Sequence, residues 1–270
     1  MVENQIVMPT EVHILMINLI QETLYNFSNL NRNQDINRIF IFSSLAGFRL
    51  NYEEQKKLLE GIIQQDPTKT IYLPAFTYNS RRKVTYSDSE VPSTQNGSLS
   101  RVAFHESIHD QRTFDEDYSY LVLGAGNRSN YIAELESTWH KKSFGRNSHH
   151  DALFREPAIF FCLGNGFRDG FTPAMHVEAS LGVPYREFRD FPSQINEGER
   201  KEYYARIEEN FSSFGKFGRE KLVNEFRKDP STGFRSYKLA ENGEIYAFSL
   251  EEFLRVATNA LLRDLNFFIA

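Results

Sequence analysis

The chain has 270 residues, of which 40% are hydrophobic, and its 31 basic and 36 acidic residues give a formal net charge of −5. This apolar fraction suffices for a substantial core, while the acidic balance disfavours binding to nucleic acid or to an anionic membrane. The sequence has no run of eighteen apolar residues and no N-terminal basic segment followed by an apolar one. We therefore expect a soluble, cytoplasmic protein without a membrane span or a secretory signal, and we expect its single cysteine, Cys162, in a buried strand.

The first part of the chain predicts a βαβ unit. Apolar residues at helical spacing predict a helix over residues 10–27. Two short apolar runs, at 39–42 and 70–73, predict buried strands. The segment 52–65 between them has a helical pattern, and a strand–helix–strand succession of this length implies that the two strands are parallel.

The centre of the chain predicts three further strands and two helices, preceded by one long loop. The strands are expected at 118–123, 158–163 and 183–187, and the helices at 129–139 and 173–181. The segment 80–97 is rich in Ser, Thr, Pro and Asp and has no periodicity. A long loop of this kind in a compact domain is often a substrate loop.

The C-terminal third differs in composition from the rest. Two highly charged segments, 198–213 and 216–228, have helical patterns, and residues 237–248 predict a hairpin that turns at Glu-Asn-Gly-Glu. Ser249 is expected to cap a last helix, and Glu252, three residues later, is expected to complete a capping box.

These elements together predict an α/β fold. We expect one domain over residues 1–270, built as a mixed sheet flanked by helices, with a helical and hairpin appendage over 196–270.

One motif suggests a metal site, because His105, Glu106 and His109 match the pattern H-E-x-x-H. On a helix the two histidines would share one face and could hold zinc, with Glu106 as the general base of a metallopeptidase. The next residues, Asp-Gln-Arg at 110–112, are polar where a buried zinc helix would continue with apolar residues, and no third ligand follows at short spacing. We therefore favour a solvated helix end and keep the zinc peptidase as an alternative.

Seven segments, taken in chain order, resemble motifs of the aminoglycoside 3-N-acetyltransferase family. They are I-F-S-S-L-A-G at 41–47, L-P-A-F-T-Y at 73–78, G-S-L-S at 97–100, R-T-F-D-E-D-Y-S at 112–119, S-F-G-R-N-S at 143–148, F-C-L-G at 161–164, and T-P-A-M-H-V-E at 172–178 followed by G-V-P-Y-R at 182–186. The resemblance covers residues 37–190. It implies that family's fold, and the transfer of an acyl group from a coenzyme A thioester to a primary amine.

Three positions depart from the family's pattern. Phe42 stands where the family's strand-end motif has a histidine, and Asp115 with the residue after it replaces a His-Pro pair. In T-x-x-H-x-x-E the position of the base is occupied by Met175, so that His176 lies one residue late. Residues at i and i+2 of a regular helix do not share a face, so His176 and Glu178 cannot pair there as the family's residues do.

The implied reaction needs a group that takes a proton from the amine. An amine near neutral pH is mostly protonated, whereas the coenzyme A thiolate leaves readily. The resemblance implies that His176 is the base and that Glu178 orients it, and the alternative for His176 is a satisfied structural histidine. Asp115 is a second candidate, as the base or as a ligand of the acceptor amine, with a solvated acidic turn over 115–117 as its alternative.

Other residues that match the family's motifs are candidates for binding. By resemblance, coenzyme A is expected to contact Ser43, Ser44, Arg112, Thr113 and Ser119. Tyr78 and Ser148 are candidates for contact with the acceptor. For the strand-end serines the alternative is an ordinary turn or cap, and for Arg112 it is a structural ion pair.

The sequence thus predicts an acyl-CoA-dependent N-acyltransferase that acts on a primary amine of an amino sugar or of another small biosynthetic molecule. Its co-substrate is acetyl-CoA or another acyl-CoA, and we expect no metal. Two alternatives stay open: a catalytically silent relative that binds coenzyme A, and the zinc peptidase. We expect a small-molecule partner and neither nucleic acid nor membrane, while a homodimer remains open.

Overall fold

Helices and strands alternate through most of the fold. The computed structural model describes residues 10–30, 36–77, 87, 89–93, 96–124, 133–134, 137–164, 171–207, 216–229, 231–240 and 243–269. The helices in these ranges are α1 (Thr10–Leu30), α2 (Tyr52–Gln65), α3 (Ser98–His105), α4 (His149–Leu153), α5 (Thr172–Leu181), α6 (Lys216–Lys228) and α7 (Leu250–Arg263). The strands are β1 (Arg38–Ser44), β2 (Thr70–Pro74), β3 (Gln111–Arg112), β4 (Tyr120–Leu123), β5 (Ile159–Gly164), β6 (Arg186–Pro192), β7 (Arg200–Arg206), β8 (Arg235–Ala240) and β9 (Gly243–Ser249). Among these helices, none combines the length and the apolar character needed to cross a bilayer.

Seven of the strands form one mixed sheet in the order β3–β4–β2–β1–β5–β9–β8. Strands β2, β1 and β5 are parallel, which confirms the predicted βαβ unit, and the strands outside them pair in antiparallel fashion. The predicted C-terminal hairpin is confirmed as β8 and β9, and it extends the main sheet by pairing with β5. The mixed sheet flanked by helices is therefore the observed architecture.

The two faces of this sheet differ in chemistry, because alternate residues of a strand point to opposite sides. One face is aromatic, with rings stacked across neighbouring strands: Tyr72, Phe40, Phe160 and Phe248. Helices α4 to α7 cover this face, and α1 to α3 cover the opposite, aliphatic face. Strands buried on both faces have continuous apolar sequences, which is why a simple pattern locates them.

Capping residues set the N-terminal ends of two helices at the positions that the sequence predicts. Asn51 and Glu54 form a reciprocal capping box, so α2 begins at Tyr52 as predicted. Ser249 caps α7 by accepting a hydrogen bond from the Glu252 amide at 3.3 Å. The Glu252 carboxylate does not complete the predicted box, because it accepts from the Gly233 amide at 2.7 Å.

The helix predicted over 198–213 is wrong where the structure describes it, because Arg200–Arg206 forms β7. The strand predicted at 183–187 begins later, as β6, and the two strands form a separate antiparallel sheet. The charged run has helical spacing, yet pairing with β6 and the burial of Lys201 and Tyr203 select the strand. Strand formation depends on such remote partners more than on intrinsic preference.

Two further predicted segments lie mostly outside the described residues. They are the helix at 129–139 and the loop at 80–97. The helix predicted at 173–181 is confirmed as α5, and Cys162 is confirmed as a buried residue of β5, where burial raises the pKa of its thiol.

Candidate active site

A buried ion pair lies in the turn between β3 and β4. The Asp115 carboxylate accepts hydrogen bonds from the amides of Asp117 and Tyr118, at 3.0 and 2.8 Å, and from Ser143 Oγ, at 3.0 and 3.1 Å to its two oxygens. Lys201 Nζ, on β7, lies 2.7 Å from Asp115 Oδ2, and neither side chain has any exposed surface. Burial by itself raises the pKa of Asp115, but the Lys201 ammonium and the hydrogen bonds outweigh it and hold that pKa well below its usual range.

The predicted alternative for this turn, a solvated acidic segment, is wrong. Asp115, Glu116 and Asp117 are all fully buried. Glu116 accepts hydrogen bonds from Ser193 Oγ and from the Gln194 amide, in the connection between β6 and β7, and burial raises the pKa of its carboxyl group. The acidic turn therefore anchors the small sheet to the main one.

A chain of directed hydrogen bonds leads from this turn to the start of α5. His150 Nδ1 lies 2.7 Å from the Ser143 carbonyl, which can only accept, so Nδ1 carries the proton. Burial keeps the pKa of His150 well below its usual value, so the ring is neutral and its Nε2 accepts from Tyr120 Oη at 3.1 Å. Tyr120 Oη in turn accepts from Thr172 Oγ1 at 2.5 Å. The order of the donors fixes the tautomer of this histidine.

The neighbouring histidine, His149, is equally enclosed. Its Nε2 lies 3.3 Å from Thr113 Oγ1, which also accepts the Tyr120 amide at 2.9 Å, and burial lowers the pKa of His149 to about 4. Ser148, a predicted acceptor contact, caps α4 by accepting the Asp151 amide at 3.0 Å and is fully buried. The histidine pair at 149–150 is thus part of the core.

His176, the predicted base, is the most exposed member of this group, although only 9% of its surface is accessible. It lies on α5, its ring is nearly perpendicular to that of Phe154 with ring centroids 5.5 Å apart, and its buried Nδ1 has no hydrogen-bond partner among the described residues. Burial lowers the pKa of His176 to about 4, so its imidazole is neutral at neutral pH.

Glu178, the predicted partner of His176, interacts with other residues. Its Oε2 lies 2.6 Å from Arg186 Nε, and its Oε1 accepts a hydrogen bond from Tyr185 Oη at 3.0 Å. Burial raises the pKa of Glu178 in spite of the nearby guanidinium. Because α5 is a regular helix from Thr172 to Leu181, His176 and Glu178 do not share a face, as the spacing predicts.

The residues predicted to bind coenzyme A fall into two groups, of which the first is internally bonded. Arg112 donates from Nε to Ser119 Oγ at 2.7 Å and from its terminal nitrogens to the carbonyls of Glu90 and Ala75. Ser119 Oγ donates to the same Ala75 carbonyl at 3.1 Å. These hydrogen bonds connect β3 and β4 to the end of β2. The structure therefore brings Arg112 and Ser119 together, and both side chains stabilise this part of the sheet.

The second group, Ser43 and Ser44, lies at the carboxyl end of β1. Two glycines with positive φ pack against their carbonyls: a Cβ added to Gly97 would lie 2.0 Å from the Ser43 oxygen, and one added to Gly164 would lie 2.0 Å from the Ser44 oxygen. The close approach of backbone at this strand end therefore requires glycine. In parallel sheets such carboxyl ends are the usual place for ligands.

The H-E-x-x-H segment does not form one helix. Helix α3 ends at His105, Ser107 has a positive φ of 52°, and His109 stacks on Phe104 beyond the helix end. Glu106 is engaged by Lys56 Nζ at 2.5 Å and by a tyrosine hydroxyl. Within the described residues no group of three or more His, Cys, Asp or Glu side chains is arranged to hold a metal.

Sequence reasoning missed several residues of this site. They are Tyr120, Ser143, His150, Arg186 and Lys201. No sequence feature marks Lys201 as a partner of Asp115, since it lies 86 residues away within a run whose pattern predicts a helix. The adjacent histidines His149 and His150, directly after the capping Ser148, are the one sequence feature that could have drawn attention to this cluster. Tyr78, a predicted acceptor contact, lies outside the described residues.

This architecture defines the class: the chain has the fold of the aminoglycoside 3-N-acetyltransferases, as the sequence resemblance implied. Among solved structures, it is similar to aminoglycoside acetyltransferase AAC(3)-IIb, with a TM-score of 0.66 and 12% identity over 94% of this chain and 98% of that one. It is also similar to the YokD protein from Bacillus subtilis, with a TM-score of 0.59 and 14% identity over 89% and 98% of the two chains. A third similar structure is AAC-VIa bound to sisomicin, with a TM-score of 0.63 and 12% identity over 89% and 96%.

The likeness at this level of identity establishes the shared acetyltransferase fold. No protein-family model and no curated protein sequence matches the chain.

Proposed function

We propose that the chain is an acyl-CoA-dependent N-acyltransferase that acts on the primary amine of a small molecule, with His176 as the general base. The observation that most supports this proposal is the state of His176 within an acetyltransferase fold. Its imidazole is neutral at neutral pH, and its Nδ1 is buried without a hydrogen-bond partner among the described residues, so Nε2 is the nitrogen that would take the proton. A neutral imidazole is the form of histidine that can accept a proton from an amine.

In the proposed reaction the amine nitrogen attacks the thioester carbon of the acyl-CoA. The N–H proton passes to His176, the carbon–sulfur bond breaks, and the coenzyme A thiolate leaves and takes up a proton. Because a thiolate is a weaker base than the attacking amine, its departure needs little help from an acid. Glu178 and Asp115 hold the surrounding framework through their buried cations, Arg186 and Lys201.

For the acyl donor, acetyl-CoA or another acyl-CoA, we propose a place beside the carboxyl end of β1. Ser43 and Ser44 and the backbone that follows them would contact it, because ligands of such sheets bind outside the carboxyl ends of parallel strands. Arg112, Thr113 and Ser119 would stabilise this binding surface through the hydrogen bonds they make within the chain. Tyr78 stays a proposed contact of the acceptor, an amino sugar or another small amine.

Binding of the donor is tested by thermal unfolding with coenzyme A. A ligand that binds only the native state stabilises it by about 2.7 kcal/mol at 100 times its Kd, which for a chain of this length raises Tm by roughly 5–10 °C. A replacement of Ser44 by Trp should abolish the shift. An unchanged Tm at about 1 mM coenzyme A would contradict the proposal.

The base is tested by thiol release with a panel of amines. His176→Ala should lower kcat/KM by about 10²–10⁴, the usual contribution of a general base, while the control His105→Ala, at an exposed helix end, should leave it unchanged. Because the pKa of His176 is about 4, the pH profile of kcat/KM should show no inflection near the ordinary histidine pKa of about 6.5, and its rise above neutral pH should follow the deprotonation of the amine. A loss of only a few fold in His176→Ala would mean that solvent removes the proton.

A second candidate, a catalytically silent relative that binds coenzyme A, is favoured by one specific observation. Phe42 and Met175 are buried apolar residues at two positions where the family's motifs carry histidine. If this is the function, coenzyme A should raise Tm while no amine in the panel releases thiol.

A further inference from the structure

We propose that the chain forms a homodimer in which the outer edge of β6 pairs with the same edge of a second copy. The two copies of β6 run antiparallel about a twofold axis at Phe188, so that two small sheets join into one sheet of four strands. The exposure of β6, the direction of its backbone groups and the order of its charges point to this partner. The contact is independent of the reaction proposed above.

Strand β6 has an open edge. Its inner edge pairs with β7, and no strand pairs with its outer edge in the part of the chain that the structure describes. The four side chains from Glu187 to Asp190 are exposed, and 36% of the surface of Phe188 is accessible. The far edge of β7 is covered, because the Glu202 amide donates to the Lys141 carbonyl at 2.8 Å. An uncovered edge strand is a template for a further strand, and here that edge belongs to β6.

The hydrogen bonds to β7 show which backbone groups of β6 point outward. The Ile207 amide donates to the Tyr185 carbonyl at 3.1 Å, and the Ser193 amide donates to the Glu199 carbonyl at 3.0 Å. In an antiparallel pair, bonded positions of this kind alternate with positions whose amide and carbonyl point away from the partner. Every second residue from 185 to 193 therefore faces β7. Phe188, in the middle of the strand, directs its amide and its carbonyl to the open edge.

Charge selects one register from those that this geometry allows. Outward-pointing residues of the two copies must lie opposite each other, so the twofold axis passes through a residue position. An axis at Glu187, Arg189 or Asp190 places that residue opposite its own copy, and like charges directly opposite are destabilising. An axis at Phe188 places Glu187 of each copy opposite Arg189 of the other. The sequence of β6 is therefore self-complementary in this register only among these four.

The side chains at the centre of β6 suit this register on both faces. Arg189 Nε donates to Glu187 Oε1 at 2.6 Å, and the two side chains are 44% and 46% exposed. In the dimer these two pairs lie side by side with opposite charges adjacent. On the other face, the Phe188 ring lies beside Tyr204 with ring centroids 4.8 Å apart, and it meets the ring of the second copy across the axis. Aromatic and opposite-charge pairs both stabilise neighbouring antiparallel strands.

Two prolines limit the paired segment. Pro184 and Pro192 lie four residues to either side of Phe188 and so face each other in this register. Neither has an amide hydrogen to donate, so the pairing ends at both of them. Arg200 donates to the Asp190 carbonyl at 3.1 Å, and a carbonyl oxygen can accept a second hydrogen bond. The contact is short and uses the same edge of both copies, so it closes as a dimer and does not extend into a fibre.

Charge reversal tests both the surface and the register. In sedimentation experiments the wild type should approach twice the chain mass of 31.4 kDa, with a Kd of about 1–100 µM as expected of a small interface. Arg189→Glu and Glu187→Arg each place like charges opposite, and each should raise the Kd at least about 10-fold. An equimolar mixture of these two variants should form a heterodimer, because two acids of one copy then face two arginines of the other.

Two further variants complete the test. The double variant Glu187→Arg with Arg189→Glu keeps opposite charges facing and should dimerise as the wild type does. The control Lys228→Glu reverses a lysine that is 71% exposed on α6, and it should leave the Kd unchanged. Recovery of the dimer in the mixture shows that the single variants are folded. A wild type that is monomeric at about 0.2 mM, single variants that dimerise as tightly as the wild type, or a mixture without heterodimer would overturn the proposal.

Discussion

The buried pair of Asp115 and Lys201 is the feature whose removal should have the largest effect on stability. Lys201→Met keeps the length of the side chain but leaves the Asp115 carboxylate, which has no exposed surface, without its cation. Breaking a buried pair by removing one partner costs about 3–5 kcal/mol. With an m-value of about 2 kcal/mol per molar urea, a loss of about 4 kcal/mol lowers the urea midpoint by roughly 2 M.

The pH dependence of this loss has a definite sign. In the wild type the folded pKa of Asp115 is lowered, so its contribution is present above the unfolded pKa of about 3.9 and is lost as the pH falls through the lower folded value. In Lys201→Met the pKa of Asp115 should rise above the unfolded value, because the cost of burial then outweighs the hydrogen bonds that remain. The variant should therefore recover stability relative to the wild type as the pH falls, and the gap between the two urea midpoints should narrow from pH 7.5 to pH 4.5.

Two controls separate the ion pair from lysine packing. Lys141→Met removes a half-exposed lysine that pairs with Glu202, and it should leave the urea midpoint nearly unchanged. The double variant Lys201→Met with Asp115→Asn removes both charges and should recover much of the loss. If the midpoint of Lys201→Met equals that of the wild type, or if the gap does not change with pH, the assignment of Asp115 as a buried counter-ion is refuted.

Two local features allow further stability predictions. Gly164→Ala should lower Tm far more than Gly198→Ala. Both glycines have a positive φ, but only a Cβ added to Gly164 would lie 2.0 Å from a carbonyl oxygen, that of Ser44. Equal decreases of Tm in the two variants would contradict this close approach. Ser249→Ala should cost about 1 kcal/mol in urea unfolding, the usual value of an N-cap, and Ser249→Asn should restore it, since Asn caps equally well.

Much of the central fold could be predicted because its signals are local. The runs that became β1 and β2 are apolar throughout, since both faces of these strands are buried, and Asn51 with Glu54 marks the start of α2 within four residues. The order of the family-like motifs also predicted that Ser43, Arg112 and His176 belong to one domain with the acetyltransferase fold. Spacing alone predicted that His176 and Glu178 would not share a face of α5.

The ion pairs, the burial and the pKa values of the site residues are determined by the tertiary structure. Asp115 and Lys201 are 86 residues apart, and nothing in either segment marks it as half of an ion pair. The run around Lys201 has helical spacing, and only its pairing with β6 makes it a strand that carries the lysine into the core. Likewise, no local pattern shows that the ring of His176 is desolvated. Burial, charge pairing and pKa depend on atoms brought together from distant parts of the chain, because electrostatic energies are set by distance and dielectric environment and not by neighbours in sequence.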